Sequence, residues 1–290
     1  MIAVSIVSHG HGAMVERLVS QLSAFQEVSK IIVTRNVPES SALQDGERLK
    51  IINNSEPEGF GANHAAAFLH CHAEYFCVLN PDIELPTNPF PALIACMEEH
   101  AACLSAPLIV APDGSIQDSM RRFPTPASLV RKAMGSADGR HAATAGQCSF
   151  YPEWVAGMFM LFRSADFARL GGFDTRYFLY YEDVDICVRA WQAGLRVVAC
   201  PAAIAIHDAR RSSRRSLRHL LWHVKSMIRY LLRYSGRLPA IPPPKAGGSA
   251  NSSTQLAGNA PDAVAKPAPH HAQIGQAVGR QQAEKEDHLK

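Results

Sequence analysis

The sequence lacks the features that mark several common classes of protein. Its seven cysteines are scattered and include no C-x-x-C pair. This spacing argues against a disulfide framework or a zinc site and is typical of reduced, mostly buried thiols in a cytosolic protein. No predominantly apolar run reaches the roughly 18 residues that a membrane-spanning helix needs. The opening residues, MIAVSIVSHG, lack the basic segment of a signal peptide and are typical of a buried strand.

The chain is nearly neutral overall, but its cations are concentrated in one segment. It has 290 residues, is 47% hydrophobic and carries a formal net charge of +3. It therefore has enough apolar bulk for a folded domain and too little charge to indicate nucleic-acid binding. Between Arg210 and Arg237 there are nine Lys and Arg residues and no Asp or Glu, which is a local basic excess.

Strand-like and helix-like segments alternate over the first hundred residues. Hydrophobic patterning predicts strands at 2–8, 30–34, 49–53 and 75–79, and helices at 13–25, 62–72 and 91–100. Such alternation predicts an α/β fold, an open and mostly parallel sheet with helices on both faces. Ligands of these sheets bind beyond the carboxyl ends of the strands.

The second half of the chain is less regular. A strand is expected at 155–162, a helix at 183–193 and a strand at 196–200 that Pro201 ends, whereas 105–150 shows little pattern. From 239 onward there is no aromatic residue and much Ala, Pro, Gly and Gln. We therefore predict a folded domain over 1–238 and a disordered tail over 239–290.

The segment FCVLNPDIEL places a carboxylate just past a buried strand. Asp82 follows the strand directly, and Glu84 lies two residues farther on. A carboxylate at this edge of a sheet can hold Mg²⁺ or Mn²⁺ against a diphosphate, because these hard cations prefer oxygen ligands and retain waters. The alternative is an ordinary Asn-Pro-Asp turn.

The segment YFLYYEDVDICVRA contains three carboxylates after a largely aromatic run. Glu182, Asp183 and Asp185 stand at the start of an amphipathic helix, and Asp183 in that position is suited to the role of general base. The alternative is that Asp183 caps the helix and Asp185 interacts with the helix dipole. Helix capping does not explain the aromatic approach.

A third segment, NSEPEGFGANHAAAF, carries glycines before a helix of small residues. Gly59 and Gly61 permit close approach of a ligand, and a helix amino terminus attracts phosphate. The complete G-x-G-x-x-G pattern of dinucleotide-binding proteins is missing. A plain structural turn is the alternative.

Four segments in this order resemble the family 2 inverting glycosyltransferases, particularly their bacterial rhamnosyltransferase-like branch. They are SIVSHGH, NNSEPEGFGANHAAAF, LNPDIEL and WVAG…GGFDTRYFLYYEDVDICVRAWQAG, which together span about residues 1–210. The last segment is the most specific. The resemblance implies a GT-A fold, which is an open α/β sheet that binds a nucleotide-sugar at its carboxyl edge.

The resemblance also implies roles for individual residues. The aspartate of the NPD-type segment is the metal position, here Asp82, and a histidine after the last strand, here His207, lies near the metal or diphosphate. The acidic pair Glu182-Asp183 supplies the base, and we favour Asp183. The remaining donor-binding candidates are Ser8, His9, Asn36, Gly59, Gly61 and Asn63.

Two positions depart from the family pattern. The second strand commonly ends in Asp-Asn, but here Arg35 precedes Asn36, so the usual contact to the nucleotide base is altered. The metal segment has one aspartate followed by Ile83 and Glu84 rather than Asp-x-Asp, which leaves the role of Glu84 open.

A basic amphipathic helix is expected at about 213–235. Its leucine-rich stripe either packs on the core or lies against anionic lipid. Membrane contact would suit an enzyme with a lipid-linked acceptor. We therefore expect a cytoplasmic protein, peripheral on the inner face of the cytoplasmic membrane.

The sequence thus predicts a metal-dependent inverting glycosyltransferase. The resemblance suggests dTDP-rhamnose as donor and a lipid-linked or polysaccharide acceptor of the cell envelope. Galactofuranose, glucose and mannose are alternative sugars. A sugar-phosphate nucleotidyltransferase would need a cationic glycine-rich loop in place of His-Gly-His-Gly, and a non-catalytic carbohydrate- or partner-binding module would not need the acids at 82, 182 and 183.

Overall fold

The computed structural model describes residues 1–135, 139–208 and 217–242. The elements in chain order are β1 (Ile2–Ser8), α1 (Ala13–Ser23), β2 (Val28–Arg35), β3 (Leu49–Asn53), α2 (Phe60–Phe68), β4 (Tyr75–Leu79), β5 (Ile83–Glu84), α3 (Phe90–Glu99), β6 (Leu104–Val110), β7 (Met120–Arg121), α4 (Pro126–Ala133), β8 (Trp154–Val155), β9 (Phe159–Arg163), α5 (Ser164–Arg169), α6 (Glu182–Gln192), β10 (Val197–His207) and α7 (Leu217–Tyr234). The predicted tail lies outside these ranges except for 239–242, so its disorder stays a prediction.

The main sheet is mixed and has eight strands in the order β3-β2-β1-β4-β9-β6-β10-β5. β1, β2, β3 and β4 are parallel neighbours, β9 is antiparallel to both β4 and β6, and β10 runs parallel to β6. Every residue of β1 and β4 is buried, as expected of strands covered on both faces. The prediction of an open, mostly parallel α/β sheet is confirmed.

The carboxyl ends of the parallel strands bring the predicted site segments to one edge of the sheet. β1 ends at Ser8, β2 at Arg35 and β4 at Leu79. Just past β4, the Asn80 amide donates to the Met158 carbonyl at 2.9 Å, in the segment that leads into β9. This bond places the Asn-Pro-Asp turn beside the residues that precede β9.

The prediction that Pro201 ends its strand is wrong. β10 continues to His207, and its pairing with β6 shifts register between Cys200 and Ile204. The shift leaves residues 201–203 without a partner in β6, so Pro201 is tolerated there. The continuation pairs His207 with Ile83 of β5 and thereby brings the histidine to the turn that carries Asp82.

Residues 105–150 are more regular than the sequence suggested. β6 is a buried strand that tolerates Pro107. α4 has a complete capping box, in which the Thr125 hydroxyl accepts from the Ser128 amide while the Ser128 hydroxyl accepts from the Thr125 amide. β6 contains a proline, and α4 has only eight residues and begins at Pro126, so hydrophobic periodicity alone does not reveal them.

α7 presents its leucine-rich stripe to solvent. The side that faces the protein carries Ser226, Tyr230 and Tyr234, all buried. Large exposed side chains on the helix are Leu217, Leu220, Leu221, Val224, Ile228 and Leu232. Packing on the core therefore uses the aromatic side and leaves most of the stripe uncovered. None of the described helices is long and apolar enough to cross a membrane.

Candidate active site

Asp183 is the second residue of α6, and backbone amides hold both oxygens of its carboxylate. Oδ2 accepts from the Gly157 amide at 3.0 Å, and Oδ1 accepts from the Val184 amide at 2.8 Å. The side chain is half-buried, and burial raises the pKa of Asp183 above its ordinary value of 3.8. The helix cap is Tyr181 rather than Asp183, so the capping interpretation of Asp183 does not describe its position.

Glu182 has a different environment from its neighbour. It is 4% exposed, and its Oε2 is buried without a hydrogen-bond partner among the described residues. Burial raises the pKa of Glu182 well above its ordinary range, and the negative charge of Asp183 raises it further. Of the two acids, Asp183 is the more accessible and has the better-stabilised carboxylate.

The aromatic residues before the acids form a strained turn. Tyr180 and Tyr181 have φ angles of 70° and 69°, a left-handed conformation that costs non-glycine residues roughly 1–2 kcal/mol each. α7 packs on this turn. The Tyr180 hydroxyl lies 3.0 Å from Nδ1 of His219, and the ring centroids of Tyr181 and Tyr230 are 5.2 Å apart. The aromatic run therefore holds the turn that starts α6 at Glu182.

The third carboxylate, Asp185, connects α6 to α7. It is fully buried and accepts from Tyr234 Oη at 2.6 Å, Arg189 Nε at 2.7 Å and Arg233 Nη1 at 3.1 Å. These bonds satisfy a charge that would otherwise be costly to bury. Asp185 is thus a structural partner of α7 rather than a group available to substrate.

Asp82 and His207 lie together at the carboxyl edge of the sheet. Oδ2 of Asp82 is 3.2 Å from Nε2 of His207, while Oδ1 of Asp82 is buried and has no hydrogen-bond partner among the described residues. This orphaned oxygen beside an imidazole nitrogen fits a divalent cation. The described part of the chain has no cluster of three or more His, Cys, Asp or Glu suited to a metal. A cation here would therefore depend on ligands from substrate and water.

Gln117 fixes the orientation of His207. The Gln117 side chain donates from Nε2 to the His207 carbonyl at 2.7 Å, which leaves its Oε1 to face Nδ1 of the imidazole at 2.7 Å. Because Oε1 can only accept, Nδ1 donates to it, and Nε2 is directed toward Asp82. Sequence reasoning missed Gln117, because no local pattern marks a contact over 90 positions.

Asn36 and Asn63 belong to a buried network that shapes the loop after β3. Asn36 Oδ1 accepts from the Glu58 amide at 2.8 Å and from Asn54 Nδ2 at 2.6 Å, and Asn36 Nδ2 donates to the Glu58 carbonyl at 2.9 Å. Asn54 also donates to Asn63 Oδ1 at 2.7 Å. These side chains hold the predicted donor loop in place, and direct contact with a donor stays a prediction.

Ser8 ends β1 and His9 follows it, at the same edge of the sheet. The Ser8 hydroxyl donates to Glu39 Oε2 at 2.6 Å. Partial desolvation by neighbouring residues lowers the pKa of His9, as does the nearby His11. The residue nevertheless remains exposed, so its imidazole is open to a ligand.

Gly59 and Gly61 have packing roles in the structure. A Cβ at Gly59 would lie 2.7 Å from the Phe178 carbonyl oxygen, and one at Gly61 would lie 2.9 Å from the Phe173 Cβ. Both positions therefore require glycine where α2 contacts the segment before α6. These packing contacts do not test the predicted role of the two glycines in donor binding, which stays a prediction.

Gly157 is a further site residue that sequence reasoning did not single out. Its amide holds Asp183, and a Cβ there would lie 3.2 Å from Phe60 Cζ. Gly157 also adjoins Met158, whose carbonyl binds the turn after β4. Two consecutive residues before β9 thus contact both regions: Gly157 holds Asp183, and Met158 holds the turn that carries Asp82.

A cavity of about 660 Å³ opens beside the acidic pair, a size that suits a small-molecule substrate. Glu182 and Asp183 line it together with Tyr181, His223 and the four cations Arg121, Arg122, Arg131 and Lys132. The adjacent arginines at 121 and 122 are the sequence feature that could have indicated these basic residues of the lining. Neither Asp82 nor His207 is among the described residues that line it.

Known proteins share this sequence pattern. The family "Glycosyl transferase family 2" matches residues 32–163, and the family "N-terminal domain of galactosyltransferase" matches residues 140–212. The rhamnosyltransferase WbbL of Escherichia coli (strain K12) is 33% identical over 229 residues, which cover 73% of this chain and 85% of WbbL. An N-acetylglucosaminyl-diphospho-decaprenol L-rhamnosyltransferase of Mycobacterium tuberculosis is 30% identical over 242 residues, which cover 73% of this chain and 78% of that protein.

Solved structures share the fold. GalNAc-T7 with UDP, GalNAc and Mn²⁺ superposes with a TM-score of 0.58 at 16% identity, over 72% of this chain and 43% of that one. The mannosyltransferase PcManGT of Pyrobaculum calidifontis, with GDP-Man and Mn²⁺, has a TM-score of 0.52 at 15% identity, over 79% of this chain and 64% of that one. The chain thus spans less than two thirds of either solved structure. Together with the curated relatives, these matches show that the chain belongs to glycosyl transferase family 2, in its rhamnosyltransferase-like branch, and has the GT-A fold.

Proposed function

We propose that this protein transfers rhamnose, with inversion, from dTDP-rhamnose to a lipid-linked acceptor of the bacterial cell envelope. The observation that carries this proposal is the position of Asp183. Its carboxylate is held by two backbone amides and faces a cavity large enough for a sugar acceptor. The names of the two rhamnosyltransferase relatives support the sugar, and the name of the decaprenol enzyme supports the kind of acceptor.

Inverting transfer is a single displacement. The acceptor hydroxyl attacks the anomeric carbon, a carbon–oxygen bond forms, and the bond from that carbon to the diphosphate oxygen breaks. The proton of the hydroxyl passes to the Asp183 carboxylate, and the nucleoside diphosphate leaves with the electron pair. Because the displacement has one step, one base suffices and no covalent enzyme intermediate is needed.

The environment of Asp183 suits this proton transfer. Burial raises its pKa and so makes the carboxylate a stronger base, while the amides of Gly157 and Val184 keep it oriented. Glu182 lines the same site, but it is only 4% exposed and so lies within the protein.

Asp82 and His207 are the residues that would hold a divalent cation, Mg²⁺ or Mn²⁺. Asp82 offers the partnerless Oδ1, and His207 offers the Nε2 lone pair that Gln117 orients. When bound, the cation neutralises charge that develops on the departing diphosphate. The Mn²⁺ in the two solved relatives supports this assignment.

The donor would lie along the carboxyl edge of the sheet. Ser8 ends β1 there, and His9 and Asn36 follow β1 and β2. Asp82 follows β4, and Asn63 fixes the intervening loop. The resemblance to family 2 motifs supports their assignment to donor binding.

The exposed stripe of α7 would rest on an anionic membrane. Six large apolar side chains of this helix are exposed. Arg218, Lys225 and Arg229 lie on the same helix. Such a surface suits the interface of a bilayer with anionic lipid. This peripheral contact, on the inner face of the cytoplasmic membrane, would bring the site to a lipid-linked acceptor.

The proposal is tested by incubating the purified protein with a panel of nucleotide-sugars and a polyprenyl-diphosphate sugar acceptor, with and without Mn²⁺. We expect metal-dependent transfer from dTDP-rhamnose and an inverted anomeric configuration in the product by NMR. Transfer from another donor alone would overturn the choice of rhamnose, and retention of configuration would overturn the single displacement.

A further inference from the structure

The cavity beside Asp183 is lined by groups of opposite charge. Glu182 and Asp183 are its acids. We use the name cationic cluster for its four basic residues: Arg121, Arg122, Arg131 and Lys132. The first two lie on and directly after β7, and the last two lie on α4. The proton transfer and the metal site described above use none of these four side chains.

The two charges are also separated by depth. Arg122, Arg131 and Lys132 are exposed, whereas Glu182 is buried. Within the described ranges, none of these three cations forms an ion pair, so all three can accept an anion from outside. The positive charge therefore surrounds the open part of the cavity, and the acids lie at its floor.

Arg121 occupies the boundary between the cations and the acids. It pairs with Asp118 at 3.1 Å, and its guanidinium lies 5.8 Å from the centroid of the Trp154 ring. These contacts hold the side chain in place while its charge acts on Asp183. An anion bound by the cationic cluster would thus be held in the same cavity as Asp183.

The helices that contribute to the cavity lining also carry exposed apolar side chains. α4 has no buried residue: its Val130 is 58% exposed, and Met134, directly after the helix, is 69% exposed. On the other side, α7 contributes His223 to the cavity lining and exposes its leucine-rich stripe. The occupant that matches this arrangement has an anionic group between an apolar chain and a polar head.

We propose that the cationic cluster binds the diphosphate of a lipid-linked sugar acceptor and so places the acceptor hydroxyl against Asp183. The inference rests on the proposed function and adds a binding site to it. A diphosphate that joins sugar to lipid would contact the cations while the sugar points to the acidic floor and the lipid leaves along α4 and α7. Arginine is well suited to this contact because its planar guanidinium matches phosphate oxygens. The diphosphate of the donor belongs instead with Asp82 and His207.

The test uses Arg131→Gln/Lys132→Gln in the full chain. Both side chains are exposed on α4, so the fold should tolerate the change. Geranyl diphosphate, geranyl monophosphate and geraniol are titrated calorimetrically into wild type and variant. We expect the affinity for geranyl diphosphate to fall by about tenfold or more, as for the loss of charge-assisted hydrogen bonds. The affinity for geraniol should not change.

Two measurements identify the source of the diphosphate. The affinity for dTDP with Mn²⁺ should be equal in both proteins, and an equal fall there would assign the cluster to the donor and overturn the proposal. A defect seen with anionic vesicles but not with soluble geranyl diphosphate would assign it to lipid headgroups and also overturn the proposal.

Arg169→Gln/Arg237→Gln is the matched control, since it removes two exposed cations outside the cavity lining. It should bind geranyl diphosphate like wild type. Equal binding by wild type and the α4 variant would overturn the proposal. Because these titrations need no donor, the outcome is separate from the transfer assay, and wild type that transfers no sugar would contradict the proposed function alone.

Discussion

Gln117 holds His207 with two hydrogen bonds of 2.7 Å, one to the backbone carbonyl and one with the imidazole Nδ1. The pair joins the segment after β6 to the end of β10 and leaves Nε2 of His207 directed at Asp82, 3.2 Å from its Oδ2. Hydrogen bonds of this kind to the ring nitrogen that does not bind metal set the orientation and basicity of a metal-binding histidine.

Gln117→Met should weaken Mn²⁺ binding by roughly 10- to 100-fold, the usual cost of removing an orienting partner. The side chain keeps its approximate size but loses both hydrogen bonds to His207. Affinity can be measured by electron paramagnetic resonance of free Mn²⁺ during titration. Gln192→Met is the control, because Gln192 also donates to a backbone carbonyl, that of Arg237, away from the site. Equal losses in both variants would contradict a specific role for Gln117.

Asp82→Asn should abolish metal-dependent binding of nucleoside diphosphate while the fold survives. The change preserves size but removes the charge that a hard cation requires. Calorimetric titration of dTDP with and without Mn²⁺ measures the effect. Glu84→Gln serves for comparison, since Glu84 is exposed and its role was left open by the sequence. If the Asp82 variant binds dTDP and Mn²⁺ as wild type does, the metal assignment is wrong.

Asp183→Asn should lower turnover by roughly 100-fold or more, a typical contribution of a general base. Donor affinity and melting temperature should change little, because Asn can still accept from the Gly157 amide. In wild type, turnover should fall as pH decreases through the raised pKa of Asp183, above the range of an ordinary aspartate. Glu182→Gln, assayed in parallel, shows which acid is the base. Near-normal turnover in both variants would make the acids structural.

Glu182→Gln should gain stability relative to wild type as pH rises. The pKa of Glu182 is raised in the folded protein, so the folded state binds the proton more tightly than the unfolded state. Wild type therefore loses stability as pH increases from the ordinary glutamate pKa toward the folded one. Melting temperatures from about pH 4 to about pH 8 measure the difference. A difference that stays constant with pH, as expected for exposed Glu56→Gln, would contradict the burial of a titrating group.

Leu221→Gln/Leu232→Gln should reduce binding to anionic vesicles by about tenfold or more, because each leucine contributes roughly 1.5–3 kcal/mol when fully buried in an apolar phase. Both side chains are exposed, at 69% and 82%, so the melting temperature should not fall. Wild-type binding should also weaken as salt screens the basic residues. Leu69→Gln removes a leucine that is 78% exposed outside α7 and should bind like wild type. If the fraction that co-sediments with vesicles is unchanged by lipid charge, by salt and by the α7 substitutions, the membrane contact is excluded.

The sequence alone determined the features that depend on local patterning. β1, β3 and β4 match their predicted bounds, and α6 is displaced by one residue, because uninterrupted apolar runs and helical periodicity are local properties. The motif order also identified the family and the two groups of acids, at 82 and at 182–183.

Tertiary structure decided the contacts between distant segments. Three neighbouring carboxylates acquired three environments: Glu182 is buried, Asp183 faces the cavity and Asp185 binds α7. A bulge after Cys200 carried His207 to Asp82. Periodicity showed that α7 has an apolar stripe, but the same period fits a stripe facing the core or facing solvent. The tyrosines of α7 fill the space beside α6, and this packing leaves the leucines exposed.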